Sequence, residues 1–290
     1  MPKIIDKLIS IGRLTRFEHG IMLSIAVLIG FLLIGVSDVS LSLFLNTMLV
    51  PFLIEMGVFS LNDVLDIETD KINNRTDRPL VTGNISEKEA KIISGACLVL
   101  GILVSSFINS EALLITTVFA AFGIIYNYRM KDIPLLGNMF IGTTMGIPFV
   151  FAEVAFSGGI TAKSIYLFCV AFVIGFAREI VKSVEDYKGD MAARGSRTLP
   201  VLIGPKKSMM LAGLIFMLFV PISYFFLISV FQQIRMIALI PLTFAYLIIV
   251  YALLECLFCT GECRSEAATI KKLTLFAMAI GMLAMIISYL

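Results

Sequence analysis

The stretch NDVLDIETD, from Asn62 to Asp70, follows the apolar run PFLIEMGVFSL of residues 51–61. Acidic side chains are costly within a bilayer unless they are paired or hydrated, so this junction predicts a membrane helix that ends in a cation-binding cluster. On an α-helix, residues four apart lie one above the other. Asn62, Asp66 and Asp70 are therefore expected to form one stripe, while Asp63 points about 100° away from it.

The composition of the whole chain is that of a polytopic membrane protein. Of the 290 residues, 59% are hydrophobic and 15% are charged, and the mean hydropathy is +0.97. A spanning helix needs about 20 mostly apolar residues. We predict an all-α fold, a single domain over residues 1–290. Its nine transmembrane helices are placed near residues 17–36, 41–61, 91–108, 112–128, 135–156, 164–183, 208–230, 236–257 and 272–289.

The basic residues fall almost entirely on one side of the predicted bilayer. Only Lys163 and Arg235, of the 23 Lys and Arg residues, lie on the side opposite the NDVLDIETD stretch. Because cytoplasmic loops carry an excess of Lys and Arg, we expect a cell-membrane protein whose N-terminus and acidic cluster face the cytoplasm. The first twenty residues alternate charge with Ile and Leu, which predicts an interfacial helix and no signal peptide. No nucleic-acid partner is expected.

A second acidic cluster follows the sixth predicted span, in REIVKSVEDYKGDMAARGSRTLP, residues 178–200. Asp186 and Asp190 again stand four apart, and Arg178 and Lys182 continue the same ladder into the membrane. The two acid pairs are offset by the same 120 residues, with four spans between them. This pattern predicts two four-helix repeats in parallel orientation, with the site between them and open to the cytoplasm. The repeats are expected at about 12–130 and 131–257, with a ninth helix at about 272–289.

The donor atoms in these clusters are oxygens, which favours Mg²⁺ over zinc. Solvated loop charge is the alternative for a single DxxxD motif, but two matched copies favour metal binding. Mg²⁺ is commonly held by one or two carboxylates together with substrate phosphates, so two facing clusters suit two ions bridged by a diphosphate. The predicted metal ligands are Asn62, Asp66, Asp70, Asp186 and Asp190.

At these residues the sequence resembles the UbiA-type family of intramembrane prenyltransferases. The family's NDxxDxxxD motif matches Asn62 to Asp70, and its DxxxD motif matches Asp186 to Asp190. The resemblance implies Mg²⁺-dependent transfer of an isoprenoid from its diphosphate to an acceptor. The loops RPLVTGNISEKEA and REIVKSVEDYKGDMAARGSRTLP most resemble the archaeal branch that makes digeranylgeranylglyceryl phosphate from geranylgeranylglyceryl phosphate. Prenyl transfer to an aromatic acceptor such as 4-hydroxybenzoate is the alternative.

Basic side chains on the motif face are expected to neutralise the leaving diphosphate. Arg178 and Lys182 share a ladder with Asp186, and Arg78 and Arg197 occupy equivalent points of the repeats. The family resemblance adds Arg16, Lys131 and Tyr128 to the expected substrate-binding residues. Arg178 can instead form a structural ion pair with Glu55. For Glu55, this ion pair and binding of the acceptor are equally open alternatives.

Removal of the acceptor proton is expected to fall to Asp63 or Asp70, because a carboxylate not fully committed to metal can accept it. Together with the ligands Asp66, Asp186 and Asp190, these form the expected catalytic set. The expected partners are an isoprenyl diphosphate donor, a lipid or aromatic acceptor, and membrane lipids.

Two further expectations concern the class of protein and its cysteines. A membrane carrier is the alternative outside enzymology, although carriers place polar groups near the bilayer centre and these clusters lie at one end. Cys256, Cys259 and Cys263 form a loose CxxCxxxC without an evident fourth metal ligand, so we predict reduced, unpaired cysteines facing the cytosol.

Overall fold

The computed structural model describes residues 2–36, 38–72, 74–194, 197–230 and 235–289. Within these ranges the fold is all-helical, with no strand. The α-helices are α1 (Pro2–Leu14), α2 (Phe17–Ile34), α3 (Leu41–Leu65), α4 (Ile67–Ile72), α5 (Glu87–Ser105), α6 (Ser110–Tyr128), α7 (Leu136–Ser157), α8 (Ala162–Arg194), α9 (Leu199–Ile203), α10 (Pro205–Val230), α11 (Met236–Phe258) and α12 (Arg264–Tyr289), with a 3₁₀ turn at Met130–Asp132.

Eight of the described helices are long and apolar enough to cross a membrane. They are α2, α3, α6, α7, α8, α10, α11 and α12. The prediction of membrane helices is thereby confirmed, but the count of nine is not. The remaining predicted span corresponds to α5, a helix of 19 residues whose first turns carry Glu87, Lys88, Glu89 and Lys91.

Helix starts follow from capping residues in the sequence. Ser86 and Glu89 form a complete capping box at the start of α5, with side-chain and backbone bonds in both directions. Such reciprocal bonds satisfy N–H groups that a helix terminus leaves without partners. Ser40 and Asn109 cap α3 and α6 through their side chains, each accepting a bond from a first-turn N–H.

The long helices pack side by side around a common interior. In the first half, α3 packs against α2, α5 and α6; in the second, α8 packs against α7 and α10, and α10 against α11. α12 closes the ring by contacting α11, α8 and α2. Gly142 and Gly146 let α7 approach the α8 backbone closely, because a Cβ at either would lie 3.0 Å or less from a carbonyl oxygen of Phe172 or Phe168. Small residues commonly permit such close approach between membrane helices.

The connection between α4 and α5 is held by a small core of its own. Leu80 and Ile85 are buried with Leu14 of α1 and Val64 of α3. α1 is tied to the same region, since Lys7 Nζ lies 2.8 Å from a Glu89 carboxylate oxygen. These contacts fix the segment that carries Arg75 and Arg78.

The cysteine prediction is wrong for two residues. Cys259 and Cys263 form a disulfide across the turn between α11 and α12, while Cys256 is a buried free cysteine. Cys259 is the C-cap that follows α11, and Cys263 adopts a left-handed backbone with φ of 54°. The turn between them brings the two Cα atoms to 5.7 Å. Disulfides commonly join Cα atoms at this separation.

Candidate active site

A cavity of about 1090 Å³ lies between the two halves of the helix ring. Its polar part is lined by residues of both acidic clusters, among them Asn62, Asp66 and Asp186. Its apolar part is lined by side chains such as Phe119, Phe151, Ile174, Phe219 and Met282. Sites for organic ligands are concave, mostly apolar and supplied with a few convergent polar groups, which makes this cavity the candidate active site.

The first cluster is built where α3 ends. Leu65 is the last residue of α3 and Asp66 is its C-cap, so the chain turns at Asp66 into the short helix α4. Asn62 Nδ2 donates to Asp66 Oδ2 at 3.0 Å, and Lys131 Nζ lies 2.5 Å from Asp66 Oδ1. The expected stripe is therefore retained for Asn62 and Asp66, and a cation does face the carboxylate.

Lys131 reaches Asp66 because the chain after α6 is tightly folded. The 3₁₀ turn Met130–Asp132 presents Lys131, and Gly137 at the start of α7 lies directly against it. A Cβ on Gly137 would lie 2.9 Å from the Met130 carbonyl oxygen and 3.1 Å from Lys131 Cα. Only glycine fits this approach without displacing the turn.

Asp63 is a buried anchor for two arginines. Its side chain is 1% exposed and accepts hydrogen bonds from Arg16 Nη2 at 3.2 Å and Arg78 Nη1 at 3.2 Å. Arg16 also lies 4.0 Å above the Phe59 ring and adopts a left-handed backbone with φ of 47°. That conformation costs about 1–3 kcal/mol and is often kept at functional sites. Asp63 thus holds Arg16 and Arg78 and does not line the cavity.

Asp70 lies on α4 and faces Arg78 rather than the cavity. Arg78 Nε is 3.9 Å from Asp70 Oδ2, and Asp70 is not among the residues that line the cavity. Burial raises the pKa of Asp70, with Arg78 acting in the opposite direction. Asp63 and Asp70, the two expected proton acceptors, therefore both lie outside the cavity wall in this conformation.

The second cluster lies on one continuous helix, as predicted. Arg178, Lys182 and Asp186 are all on α8 and all line the cavity. Lys182 Nζ donates to Glu179 Oε1 at 2.9 Å. α4, which carries Asp70 of the first motif, packs against α8, the helix of the second motif. The side chains of Asp190 and Arg194 lie outside the described part of the chain.

Two expected substrate-binding residues are not brought to the cavity. Tyr128 is 60% exposed, whereas Tyr126 lines the cavity. Two residues on an α-helix that stand two apart differ by about 200° in direction, so only one of this pair can face inward. Arg197 is exposed and does not line the cavity, although the next residue, Thr198, does.

Sequence reasoning missed Asn127 and Glu179. Asn127 is 2% exposed and accepts a hydrogen bond from Asn62 Nδ2 at 2.9 Å, while its own amide donates to the Val58 and Gly123 carbonyls. A lone polar residue in an apolar helix was the available signal. Glu179 stands next to Arg178 in the quoted motif, but only the structure shows that it is buried and bonded to Lys182.

The donor set fits Mg²⁺ only with help from a ligand. Asn62, Asp66 and Asp186 offer hard oxygen atoms to one cavity. Among the side chains that the structure describes, no three His, Cys, Asp or Glu residues are grouped closely enough to hold a metal ion. The Lys131 ammonium stands at Asp66 where a cation is expected. Because Mg²⁺ typically takes one or two carboxylates plus substrate phosphates, the residue types are compatible with metal bound together with a diphosphate.

Comparison with known proteins defines the class. The model of the UbiA prenyltransferase family matches residues 23–258, so the chain belongs to that family and is a prenyltransferase. The predicted family is confirmed.

Within this family, the chain is similar to several individual proteins. The chain is 34% identical over 281 residues to the digeranylgeranylglyceryl phosphate synthase of Archaeoglobus fulgidus, covering 94% of this chain and 92% of that protein. A solved structure of digeranylgeranylglyceryl phosphate synthase matches with a TM-score of 0.74 at 31% identity over 98% of each chain. A UbiA homolog from Archaeoglobus fulgidus bound to DMAPP and Mg²⁺ matches with a TM-score of 0.66 at 21% identity, covering 96% of this chain and 99% of that one, and shows the shared fold.

Proposed function

We propose that the protein transfers a geranylgeranyl group from geranylgeranyl diphosphate to the glycerol hydroxyl of geranylgeranylglyceryl phosphate, a step of ether-lipid synthesis. The observation that carries this proposal is a single cavity that joins both acidic motifs and a ring of basic side chains to a large apolar interior. The similarity over nearly the full length to digeranylgeranylglyceryl phosphate synthases supports the choice of acceptor.

Two Mg²⁺ ions are proposed to bind with the donor diphosphate, held by Asn62, Asp66, Asp70, Asp186 and Asp190. The bound Mg²⁺ and DMAPP of the Archaeoglobus fulgidus homolog support this chemistry. When bound, the ions act as Lewis acids that neutralise the charge on the leaving diphosphate. Asp70 Oδ2 now lies 3.9 Å from Arg78 Nε, and its carboxylate is proposed to turn toward the ions when the donor binds.

Basic residues complete the neutralisation. Arg16 and Arg78 are held by Asp63, and both line the cavity. Lys131 exchanges its bond with Asp66 for the diphosphate when the donor arrives. Fixed donors that need no reorganisation at the moment of bond cleavage stabilise the charge that develops on the leaving group. Lys182 is placed to assist from α8.

The apolar interior protects the allylic cation. Water in contact with the cation would capture it and hydrolyse the donor. Apolar side chains from α6, α7, α8, α10 and α12 line the cavity beyond the acidic residues and leave space for prenyl chains. The C–O bond of the donor breaks, the acceptor hydroxyl oxygen forms the new bond to the allylic carbon, and the hydroxyl proton leaves with the diphosphate.

The finer architecture is part of the same proposal. α5 is proposed as the ninth span, which gives two four-helix repeats, α2–α3–α5–α6 and α7–α8–α10–α11, with α12 as the last helix. The matching order in which neighbouring helices pack in the two halves supports this. The excess of basic residues on the motif side supports a cytoplasmic active site and N-terminus in the cell membrane.

The test is to identify the product. Purified protein is supplied with geranylgeranyl diphosphate and Mg²⁺, together with either geranylgeranylglyceryl phosphate or 4-hydroxybenzoate, and the products are identified by mass spectrometry. We expect a diether phosphate from the first acceptor and no product from the second. Prenylated 4-hydroxybenzoate as the main product would overturn the assignment of the acceptor.

A further inference from the structure

Arg178 is a buried cation in the cavity wall. Its side chain lines the cavity, only 8% of the residue is exposed, and its Nε atom has no hydrogen-bond partner among the described residues. Within the ranges that the structure describes, Arg178 forms no ion pair. The alternative pairing with Glu55 is therefore not formed, although Glu55 also lines the cavity.

The acids nearest to Arg178 along α8 are already engaged elsewhere. Glu179 is bonded to Lys182 at 2.9 Å, and Glu185 Oε2 lies 2.5 Å from Lys271 Nζ. Both acids still act on the Arg178 charge through space, but neither forms a direct ion pair with it, and a buried guanidinium without a direct partner is expensive to keep in a membrane protein. Its retention in the wall of a substrate cavity points to an anion that arrives with a ligand.

Arg178 lies too deep to share the donor diphosphate with Asp186. Eight residues separate the two on α8, which corresponds to about 12 Å along the helix axis. The cations assigned to the diphosphate lie nearer the acidic motifs: Arg16 and Arg78 contact Asp63, and Lys131 contacts Asp66. Lys182 lies one helical turn from Asp186 on α8. If the reacting hydroxyl approaches the allylic carbon from the inner side of the diphosphate, the phosphate on the neighbouring glycerol carbon can reach Arg178.

His19 provides a second polar group in the wall of the same cavity. It lies in the first turn of α2. Its Nδ1 atom has no hydrogen-bond partner within the described ranges, and the nearest carboxylate oxygen, Glu18 Oε1, is 3.6 Å away. A guanidinium can bind two oxygens of a phosphate at once, and an imidazole can add a third contact.

We infer that Arg178, assisted by His19, binds the phosphate monoester of the lipid acceptor in a second anion site, separate from the site of the donor diphosphate. This assignment rests on the proposed function and replaces the expectation that Arg178 binds the donor. It explains how one cavity keeps two phosphorylated lipids in distinct positions. The donor is held by metal together with Arg16, Arg78, Lys131 and Lys182, and the phosphate of the acceptor is held by Arg178.

The experiment compares wild-type protein with Arg178→Gln and Arg178→Lys. Lys188→Gln is the matched control, since Lys188 is on the same helix but pairs with Glu262 at the surface. Michaelis constants are measured for geranylgeranyl diphosphate, for geranylgeranylglyceryl phosphate and for geranylgeranylglycerol, which lacks the phosphate. Binding of geranylgeranylglyceryl phosphate is also measured in excess chelator, so that metal cannot hold its phosphate.

We expect Arg178→Gln to raise the KM for geranylgeranylglyceryl phosphate and to weaken its metal-free binding by about tenfold or more, the usual loss for a charged hydrogen bond. The KM for the donor and for geranylgeranylglycerol should stay within about twofold of wild type. Arg178→Lys should be intermediate and Lys188→Gln unchanged. An equal rise in the donor KM, or unaltered preference for the phosphorylated acceptor, would refute the second anion site. Absence of any product in the wild type would instead refute the proposed function.

Discussion

Asp66 contacts both a polar residue of its own motif and a cation from another part of the chain. It contacts Asn62 from its own motif and Lys131 from the next connection, and it lines the cavity. Neutralising its side chain takes away a proposed metal ligand and the charge that Lys131 faces. The neighbouring Glu68 is a natural control, because its side chain is 78% exposed and pairs with Lys71 at the surface.

Asp66→Asn should therefore lower kcat/KM for prenyl transfer on the order of 100-fold or more, the scale found when a preorganised charge is removed from an active site. Glu68→Gln should leave transfer unchanged. Both variants should remain extractable as folded protein. Steady-state rates and thermal unfolding check this, and transfer at the wild-type rate by Asp66→Asn would contradict a ligand role.

Asn127 is expected to act through Asn62. Its amide oxygen accepts a hydrogen bond from Asn62 Nδ2, and its amide nitrogen is bonded to two backbone carbonyls. Asn127→Ala should weaken Mg²⁺-dependent activity by about 10–100-fold, as loss of residues that orient metal ligands usually does. In the Asp66→Asn background the same change should add little, because the two residues orient and bind the same ion. Fully additive losses would contradict this coupling.

Among the secondary-structure elements, the helices that carry the acidic residues could be predicted from the sequence. The turns that determine which way those acidic side chains point could not. The four-residue spacing of Asp186 with Lys182 and Arg178 predicted one face of α8 correctly, because a helix repeats regularly. The break after Leu65 and the burial of Asp63 under Arg16 and Arg78 depend on residues distant in sequence. No local pattern encodes such contacts.

Tyr128 is another side chain whose direction could not be predicted from the sequence. The family resemblance suggested it as a site residue, but at the end of α6 it points outward, and Tyr126 lines the cavity instead. Asn127 lies between them on the face toward α3, where it meets Asn62. A register error of two residues is enough to change which side chain faces the substrate, and sequence spacing does not fix the register of a helix end.

The contact of α7 with the preceding turn gives a prediction for this element. Gly137→Ala should push the 3₁₀ turn away, since its Cβ would meet backbone atoms that cannot rotate aside. We expect a rise in the donor KM through displacement of Lys131, by about tenfold. Gly95→Ala, on α5, is the control because a Cβ added there would have no neighbouring atom within 4 Å among the described residues. Unchanged donor KM in Gly137→Ala would show that Lys131 does not need this packing.

At the scale of the whole molecule, the proposed topology makes α5 a span. Its N-terminus would lie on the cytoplasmic side with Thr82, and its C-terminus on the other side with Ser106. Single cysteines at these two positions, in a background without the five native cysteines, can be labelled with a membrane-impermeant maleimide in vesicles of known orientation. We expect Thr82→Cys and Ser106→Cys to react from opposite sides. Reaction from the same side would contradict nine spans.

We propose that Asp66, at the C-terminal end of α3, and Asp186, on α8, converge on metal ions that hold one diphosphate. Counting bound Mn²⁺ by electron paramagnetic resonance, with an unreactive geranylgeranyl thiodiphosphate present, tests it directly. The account predicts two ions per wild-type chain, and fewer in both Asp66→Ala and Asp186→Ala. If either variant binds as many ions as the wild type with the same affinity, the two motifs do not share a metal-diphosphate site.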